Sequence, residues 1–282
     1  PLSGPDGLCP RCVLAEVLAP PDAAFVDPAV PPAGTPVRKV GAYQLFEEIG
    51  QGGMGVVHRA WQPGLDRIVA IKVLKGSQQL SDELRRRFRQ EAEMAAKLRH
   101  PNIIPIYEVA EHGGEPYFSM EYVEGTSLGQ LVAAGALEPR IAAGYMKIVA
   151  EAVHFAHAQG VLHRDIKPSN VLLGADGRLR ICDFGLARKV DSTSTLSQPG
   201  QPLGTPSYMP PEQAEHKGEL IGRASDVYSI GATLFHLLTG KPPFMADSVA
   251  AVLTMVVGVD PPSPARENPS VPRELAIICL KC

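Results

Sequence analysis

The sequence predicts an α+β chain, short strands with one helix among them and then a mainly helical region, in one large domain or two lobes. Three observations lead there. Short β-branched segments separated by glycine-rich or polar turns fill the stretch from Tyr43 to Val123. One segment rich in helix formers, Asp82 to Leu98, interrupts them, and the longer helical patterns begin only at Leu128. A chain of 282 residues, 45% hydrophobic and 20% charged, is long and apolar enough for one large domain or two lobes with a sizeable core.

Residues 1–40 hold nine of the 27 prolines, too many for a helix or a central strand, and are expected to be a flexible leader. Within it Cys9 and Cys12 form a C-x-x-C, half of a zinc ligand set. Zinc is disfavoured because four ligands are needed and the other C-x-x-C, Cys279 to Cys282, follows an apolar helical pattern that reads as packing. The five cysteines are odd in number and irregularly spaced, which points to a reducing, cytoplasmic location. The net charge of −3 gives no basic footprint for nucleic acid. No apolar run approaches the ~18 residues that span a bilayer, so no membrane contact is expected from this segment.

Three strands open the folded part, YQLFEEIG, VVHRAW and RIVAIKVL. Between the first two lies Ile49-Gly50-Gln51-Gly52-Gly53-Met54-Gly55-Val56-Val57, a G-x-G-x-x-G followed by a strand. In dinucleotide-binding folds a helix follows the glycines instead. Glycines let a backbone approach phosphates and offer them N–H groups with no Cβ in the way. Val69-Ala70-Ile71-Lys72 ends an apolar strand on a lysine, and burying a lone ammonium is costly, so Lys72 needs partners. The helix over Asp82 to Leu98 repeats Leu84, Phe88, Ala92, Ala95 and Leu98 at helical spacing. It offers two glutamates, Glu91 and Glu93, on nearly opposite faces. Strands are expected over Ile104 to Val109 and Tyr117 to Val123. Helices are expected over Leu128 to Val132, over Ala142 to Gln159 with Gly160 as its C-cap, and in an apolar stretch running to Leu238.

Val161 to Leu186 carries the chemistry. It contains His163-Arg164-Asp165, Lys167, Asn170 and Asp183-Phe184-Gly185, with the two aspartates eighteen positions apart. Any one Asp or Asn in a Gly-rich turn most simply caps its own backbone. Together, with the glycine loop and V-A-I-K upstream, these residues resemble the protein kinase family over about residues 43–282. EQA and CLKC resemble the bacterial serine/threonine kinases.

The resemblance implies a bilobal kinase fold over residues 41–282, with an N-lobe of a small antiparallel β-sheet and one helix at about 43–120, a hinge at about 121–125 and a mainly helical C-lobe from about 126. It implies ATP with Mg²⁺, Mn²⁺ being an alternative, and phosphoryl transfer to serine or threonine of protein substrates. Asp165 would accept the hydroxyl proton, Lys167 would place charge on the γ-phosphate, and Asp183 and Asn170 would hold the metal. Lys72 would meet the α- and β-phosphates and Glu91, chosen over Glu93 by its spacing from His100-Pro101-Asn102-Ile103. Residues 49–57, Ala70, Met120, Leu172 and the backbone of Glu121 and Val123 would hold the nucleotide. Asp226 would brace the catalytic loop, and Cys182 is expected to be a buried structural cysteine at the cleft. Ala187 to Leu203, with Ser192, Thr193, Ser194, Thr195 and Ser197, resembles an activation loop that Arg164 would grip once phosphorylated, with a kinase dimer for autophosphorylation. Gly204 to Glu212 resembles a substrate-docking loop, with Thr205 against Asp165 and Lys167.

Two departures stand out. Pro210-Pro211-Glu212 replaces the family's Ala-Pro-Glu, and the family's arginine partner for Glu212, expected beyond Leu280, is missing, so the domain is expected to be incomplete at its end. The competing function is a nucleotide-binding pseudokinase or scaffold, which loss of Lys72, Asp165 or Asp183 would mark. All three are present.

Overall fold

A computed structural model describes residues 34–52, 55–74, 82–184 and 206–282. The pair Cys9 and Cys12, residues Gly53 and Met54, the stretch Ala187 to Leu203 and Thr205 lie outside the described residues. Six strands form one antiparallel sheet: β1 (Arg38–Val40), β2 (Tyr43–Gly52), β3 (Gly55–Gln62), β4 (Arg67–Leu74), β5 (Ile106–His112) and β6 (Glu115–Glu121), in the order β1-β2-β3-β4-β6-β5. Side chains alternate across a strand, so β4 divides between two apolar layers. Val69, Ile71 and Val73 join Val40, Tyr43, Leu45, Ala60 and Tyr117 on one face. Ala70 and Leu74 join Phe88, Ala92, Ile104, Phe118 and Met120 on the other. Phe88 and Ala92 come from α1 (Asp82–Ala95), which also buries Ala95 of the helical stripe expected of it. That helix tightens into i,i+3 bonds after Ala95, three residues before the expected end, yet Leu98 remains buried. The last two strands pair through to a turn at Gly113 and Gly114, both at positive φ, so the β5–β6 hairpin lies closer to the turn than the sequence suggests.

The second lobe holds α2 (Leu128–Ala133), α3 (Pro139–Ala158), α4 (Pro211–Ala214), α5 (Arg223–Thr239), α6 (Val249–Gly258), α7 (Pro264–Glu267) and α8 (Arg273–Lys281). A small sheet of β7 (Gly125–Ser127), β8 (Val171–Gly174) and β9 (Leu179–Ile181) lies beside them. Most of α5 is buried, as a helix apolar on most sides must be. Its Ile230, Leu234, Phe235, Leu237 and Leu238 share one core with Ala142, Met146, Val149, Ala152 and Val153 of α3 and with Ile166, Val171, Leu179 and Ile181. Gly160 and Gly240 follow α3 and α5 at φ 76° and 77°, the left-handed conformation that ends helices without a Cβ penalty. The two lobes are sewn together at β9. Ile104 N–H donates to Ile181 O at 2.9 Å, Ile181 N–H donates to Asn102 O at 2.9 Å, and Asn102 Nδ2 donates to Leu179 O at 2.7 Å.

Candidate active site

The loop between α3 and β8 is held by one buried carboxylate. Asp226, in the first turn of α5, accepts from the backbone N–H of His163 (2.8 Å) and of Arg164 (2.7 Å) and from His157 Nε2 (2.7 Å). Burial pushes its carboxyl up, but these hydrogen bonds outweigh burial and hold it below the ordinary carboxylate value. An ionised carboxylate accepts only, so His157 Nε2 carries the proton. Arg164 sits at φ 68°, a strained setting for a residue with a Cβ, and Asp226 pins it there. His163 is fully buried: its Nδ1 accepts from Asp165 N–H at 3.2 Å, so its Nε2–H donates to Cys182 O at 3.0 Å. Burial drives the His163 pKa down and keeps the ring neutral. Its ring lies 4.5 Å from that of Phe184, which joins the Asp165 loop to the Asp183 turn.

The reactive side chains converge from this frame. Asp165 Oδ2 accepts from Lys167 Nζ at 2.7 Å and from Asn170 Nδ2 at 3.1 Å, and the same amide nitrogen donates to Asp165 O at 2.7 Å. With its nitrogen committed twice to Asp165, Asn170 leaves its oxygen as the end available to a cation. Asp183, at φ 63°, accepts from Lys72 Nζ at 2.7 Å across the lobes. Burial raises the Asp183 carboxyl, yet the charge and hydrogen bond of Lys72 prevail and keep it ionised. Glu91 is buried on α1 and lies 3.8 Å from Arg164 Nη1, whereas Glu93 is exposed and accepts from Arg89 at 2.9 Å. No ion pair joins Lys72 to Glu91 among the described residues; Lys72 pairs with Asp183 instead.

Apolar residues of both lobes gather in one cluster. Ala70 and Met120 are buried in it, and Val57, Val123, Leu172 and Cys182 pack against it, while Ile49 stands exposed on β2. The β2–β3 hairpin pairs Gly50 with Val57, Gln51 with Val56 and Gly52 with Gly55. At Gly55 a Cβ would come 2.3 Å from Val73 O, so only glycine lets β3 lie this close to β4. Burial, then the charge of Asp183, pushes the Cys182 thiol up and leaves it protonated at neutral pH. Glu212, for which an arginine was expected, accepts from Ser225 Oγ at 2.5 Å. His157 escaped the sequence reading, which named His163 and Asn102 within their motifs but gave their side chains no role. Each acts through a contact far along the chain that no local pattern announces.

Residues 43–271 match the family model described as the protein kinase domain. The chain belongs to the protein kinase family. It is 41% identical over 245 residues to the serine/threonine-protein kinase PrkC of Bacillus subtilis, covering 86% of this chain and 37% of that one. It is 39% identical over 253 residues to PknB of Mycolicibacterium smegmatis, covering 88% and 40%. The chain thus spans about two fifths of the length of these curated relatives. The crystal structure of the Mycobacterium tuberculosis PknI kinase domain superposes at a TM-score of 0.67 with 30% identity, covering 88% of this chain and 91% of that one. The bilobal α+β expectation is therefore the fold observed, and its six-stranded sheet and helical region are the lobes of a kinase domain. Family membership implies a nucleoside triphosphate, ATP, a divalent metal and protein substrates. No helix among the described residues is long and apolar enough to cross a membrane. None of their His, Cys, Asp and Glu side chains form a group of three suited to a metal ion. One carboxylate and one amide oxygen, Asp183 and Asn170, nevertheless fit a cation that keeps waters and takes its other ligands from phosphates.

Proposed function

We propose that this chain is the catalytic domain of a serine/threonine protein kinase. The observation that carries the reading is the joined set Asp165, Lys167 and Asn170, linked through His163 and Cys182 to an ionised Asp183 paired with Lys72. The substrate hydroxyl gives its proton to Asp165 while its oxygen bonds to the γ-phosphorus, and the bond to the β–γ bridging oxygen breaks to release ADP. Lys167, beside Asp165, offsets charge on the transferring group. Asp183 and Asn170 would hold Mg²⁺, or Mn²⁺ in its place; such an ion supplies charge neutralisation between phosphate oxygens. With Asp183 holding the metal, Lys72 would be partnered by the α- and β-phosphates and by Glu91, the buried carboxylate of α1. The purine would lie against the cluster of Ala70, Val57, Met120 and Leu172, its edge on the backbone of Glu121 and Val123, with residues 49–57 supplying the remaining nucleotide contacts. The hinge at 121–125 and the lobes on either side of it belong to this proposal; the leader expected over residues 1–40 ends earlier, because β1 (Arg38–Val40) pairs with β2 and buries Val40.

Autophosphorylation of Ala187 to Leu203 between two copies is the accompanying regulatory reading. The test is incubation with ATP and Mg²⁺ and a generic protein substrate, followed by mass spectrometry. Phosphoserine or phosphothreonine on the substrate and on residues 187–203 is expected. ATP binding with no phosphate transferred would favour the pseudokinase instead.

A further inference from the structure

The β8–β9 hairpin carries a charged cluster that the roles above leave unused. Arg180, on β9, lays its guanidinium between two carboxylates. Its Nη1 and Nη2 donate to Asp176 Oδ1 and Oδ2 at 3.0 and 2.7 Å, and its Nε lies 3.4 Å from Glu121 Oε1. The arginine side chain is only 14% exposed. A fork laid on a carboxylate is the strong, orienting form of this interaction, and that hydrogen bonding holds the Asp176 carboxyl down at about 2. Space for the fork comes from Gly174, where a Cβ would stand 2.6 Å from Asp176 Oδ1, 2.7 Å from Arg180 Nη1 and 3.5 Å from Val123 Cγ1.

The cluster sits where the chain crosses between lobes. Glu121 is the last residue of β6, Ala175 N–H donates to Glu124 O at 2.8 Å, and Gly125 pairs with Gly174. Residues 121–125 are thus fastened to the hairpin at their far end by backbone bonds and at their near end by the Arg180–Glu121 ion pair. The same hairpin runs on through Ile181 and Cys182 to Asp183. Resting on the kinase reading above, we propose that Arg180 is a positioning residue for the nucleotide. Acting through Glu121, it holds the backbone groups offered to the purine edge in fixed register with Asp183. Arginine suits this because one planar fork grips Asp176 while Nε serves Glu121, a division that lysine's single ammonium cannot make. A neutral residue there would leave Glu121 and Asp176 without their shared cation, and the near end of the crossing untied. Nucleotide affinity should suffer, and the chemical step should not.

The test compares the wild type with Arg180→Met, Arg180→Lys, Glu121→Gln and the Arg180→Met/Glu121→Gln double variant. Calorimetric titration with ADP and Mg²⁺ is run beside ATP-dependent kinetics on a protein substrate. In Arg180→Met the Kd for ADP and the KM for ATP rise about three- to tenfold, as for a partly buried ion pair, while kcat at saturating ATP stays within about twofold. Arg180→Lys recovers part of the affinity, and the double variant is no weaker than Arg180→Met alone. Unchanged ADP affinity in Arg180→Met, a loss confined to kcat, or additive effects in the double variant would overturn the proposal. Should Arg180→Met fail to fold, Glu121→Gln and Arg180→Lys decide it by the same shift in Kd. A wild type that neither binds ADP nor transfers phosphate would overturn the kinase reading itself.

Discussion

Replacing Asp226 with asparagine puts the most strain on the account, because one side chain is held to set the catalytic loop. The carboxylate accepts three hydrogen bonds, two on Oδ2 and one on Oδ1. An amide has one oxygen. Placed toward His157 and His163 N–H, it turns its NH₂ against the N–H of Arg164, leaving that donor unmet and the φ of 68° unsupported. Losing a hydrogen bond to a charged acceptor costs about 1.5–3 kcal/mol. The two remaining bonds weaken with the charge, so the sum approaches the about 3–5 kcal/mol typical of breaking a buried pair. At about 2–4 °C per kcal/mol for a domain of this size, Tm falls by roughly 10 °C in scanning calorimetry or circular dichroism. Because Asp165 follows Arg164 directly, kcat for phosphate transfer falls about 10²-fold, the effect of a displacement near 1 Å. The pH dependence adds a second readout. A carboxyl with a depressed folded pKa stabilises above its unfolded value, and that stability is lost as pH falls through the folded pKa. The wild type therefore loses its advantage over Asp226→Asn in acid. A Tm within about 2 °C of wild type at pH 7, together with unchanged kcat, would refute the reasoning.

Further predictions concern the same frame. His163 is buried with a lowered pKa, so the unfolded chain takes up its proton first as pH falls below about 6.5. Stability is complete above that pH and drops by up to about 1.4 kcal/mol per unit below it, until the folded pKa is reached. Thermal melts between pH 7.5 and 5.5 should show the decline, and a flat profile would contradict it. Lys72→Met strips Asp183 of its counter-ion and removes a charge facing the phosphates, lowering kcat/KM by at least about 10²-fold in substrate assays. Gly55→Ala forces β3 and β4 apart at Val73 O, destabilising by about 1–3 kcal/mol in urea titration.

How legible this was depends on distance along the chain. The sheet strands and α1 declared themselves by period and by glycine placement, since Val69, Ile71 and Val73 alternate with Ala70 and Leu74 whatever packs on them. Element ends were less visible. Gly113 and Gly114 extend the β5–β6 pairing into the turn, and three-residue strands such as β1 and β7 exist only through their neighbours. Residues Asp165, Lys167, Asn170 and Asp183 were readable because their spacing is local, and the structure brings Asp165, Lys167 and Asn170 into one hydrogen-bonded set. What could not be read is which acid each base chooses. Lys72 sits on Asp183 and Glu91 near Arg164, because burial makes each charge take the nearest opposite charge in space. His157 on Asp226 and Arg180 between Asp176 and Glu121 are decisions of the same kind.

The most direct measurement is the rate of phosphate transfer from ATP to a serine- or threonine-containing protein by the wild type and by Asp165→Asn, with ATP affinity measured in parallel. The account predicts phosphoserine or phosphothreonine from the wild type, and a variant that binds ATP as tightly but reacts about 10²- to 10⁴-fold more slowly. Equal rates from both proteins, or a wild type that binds ATP and Mg²⁺ yet transfers nothing, would contradict it.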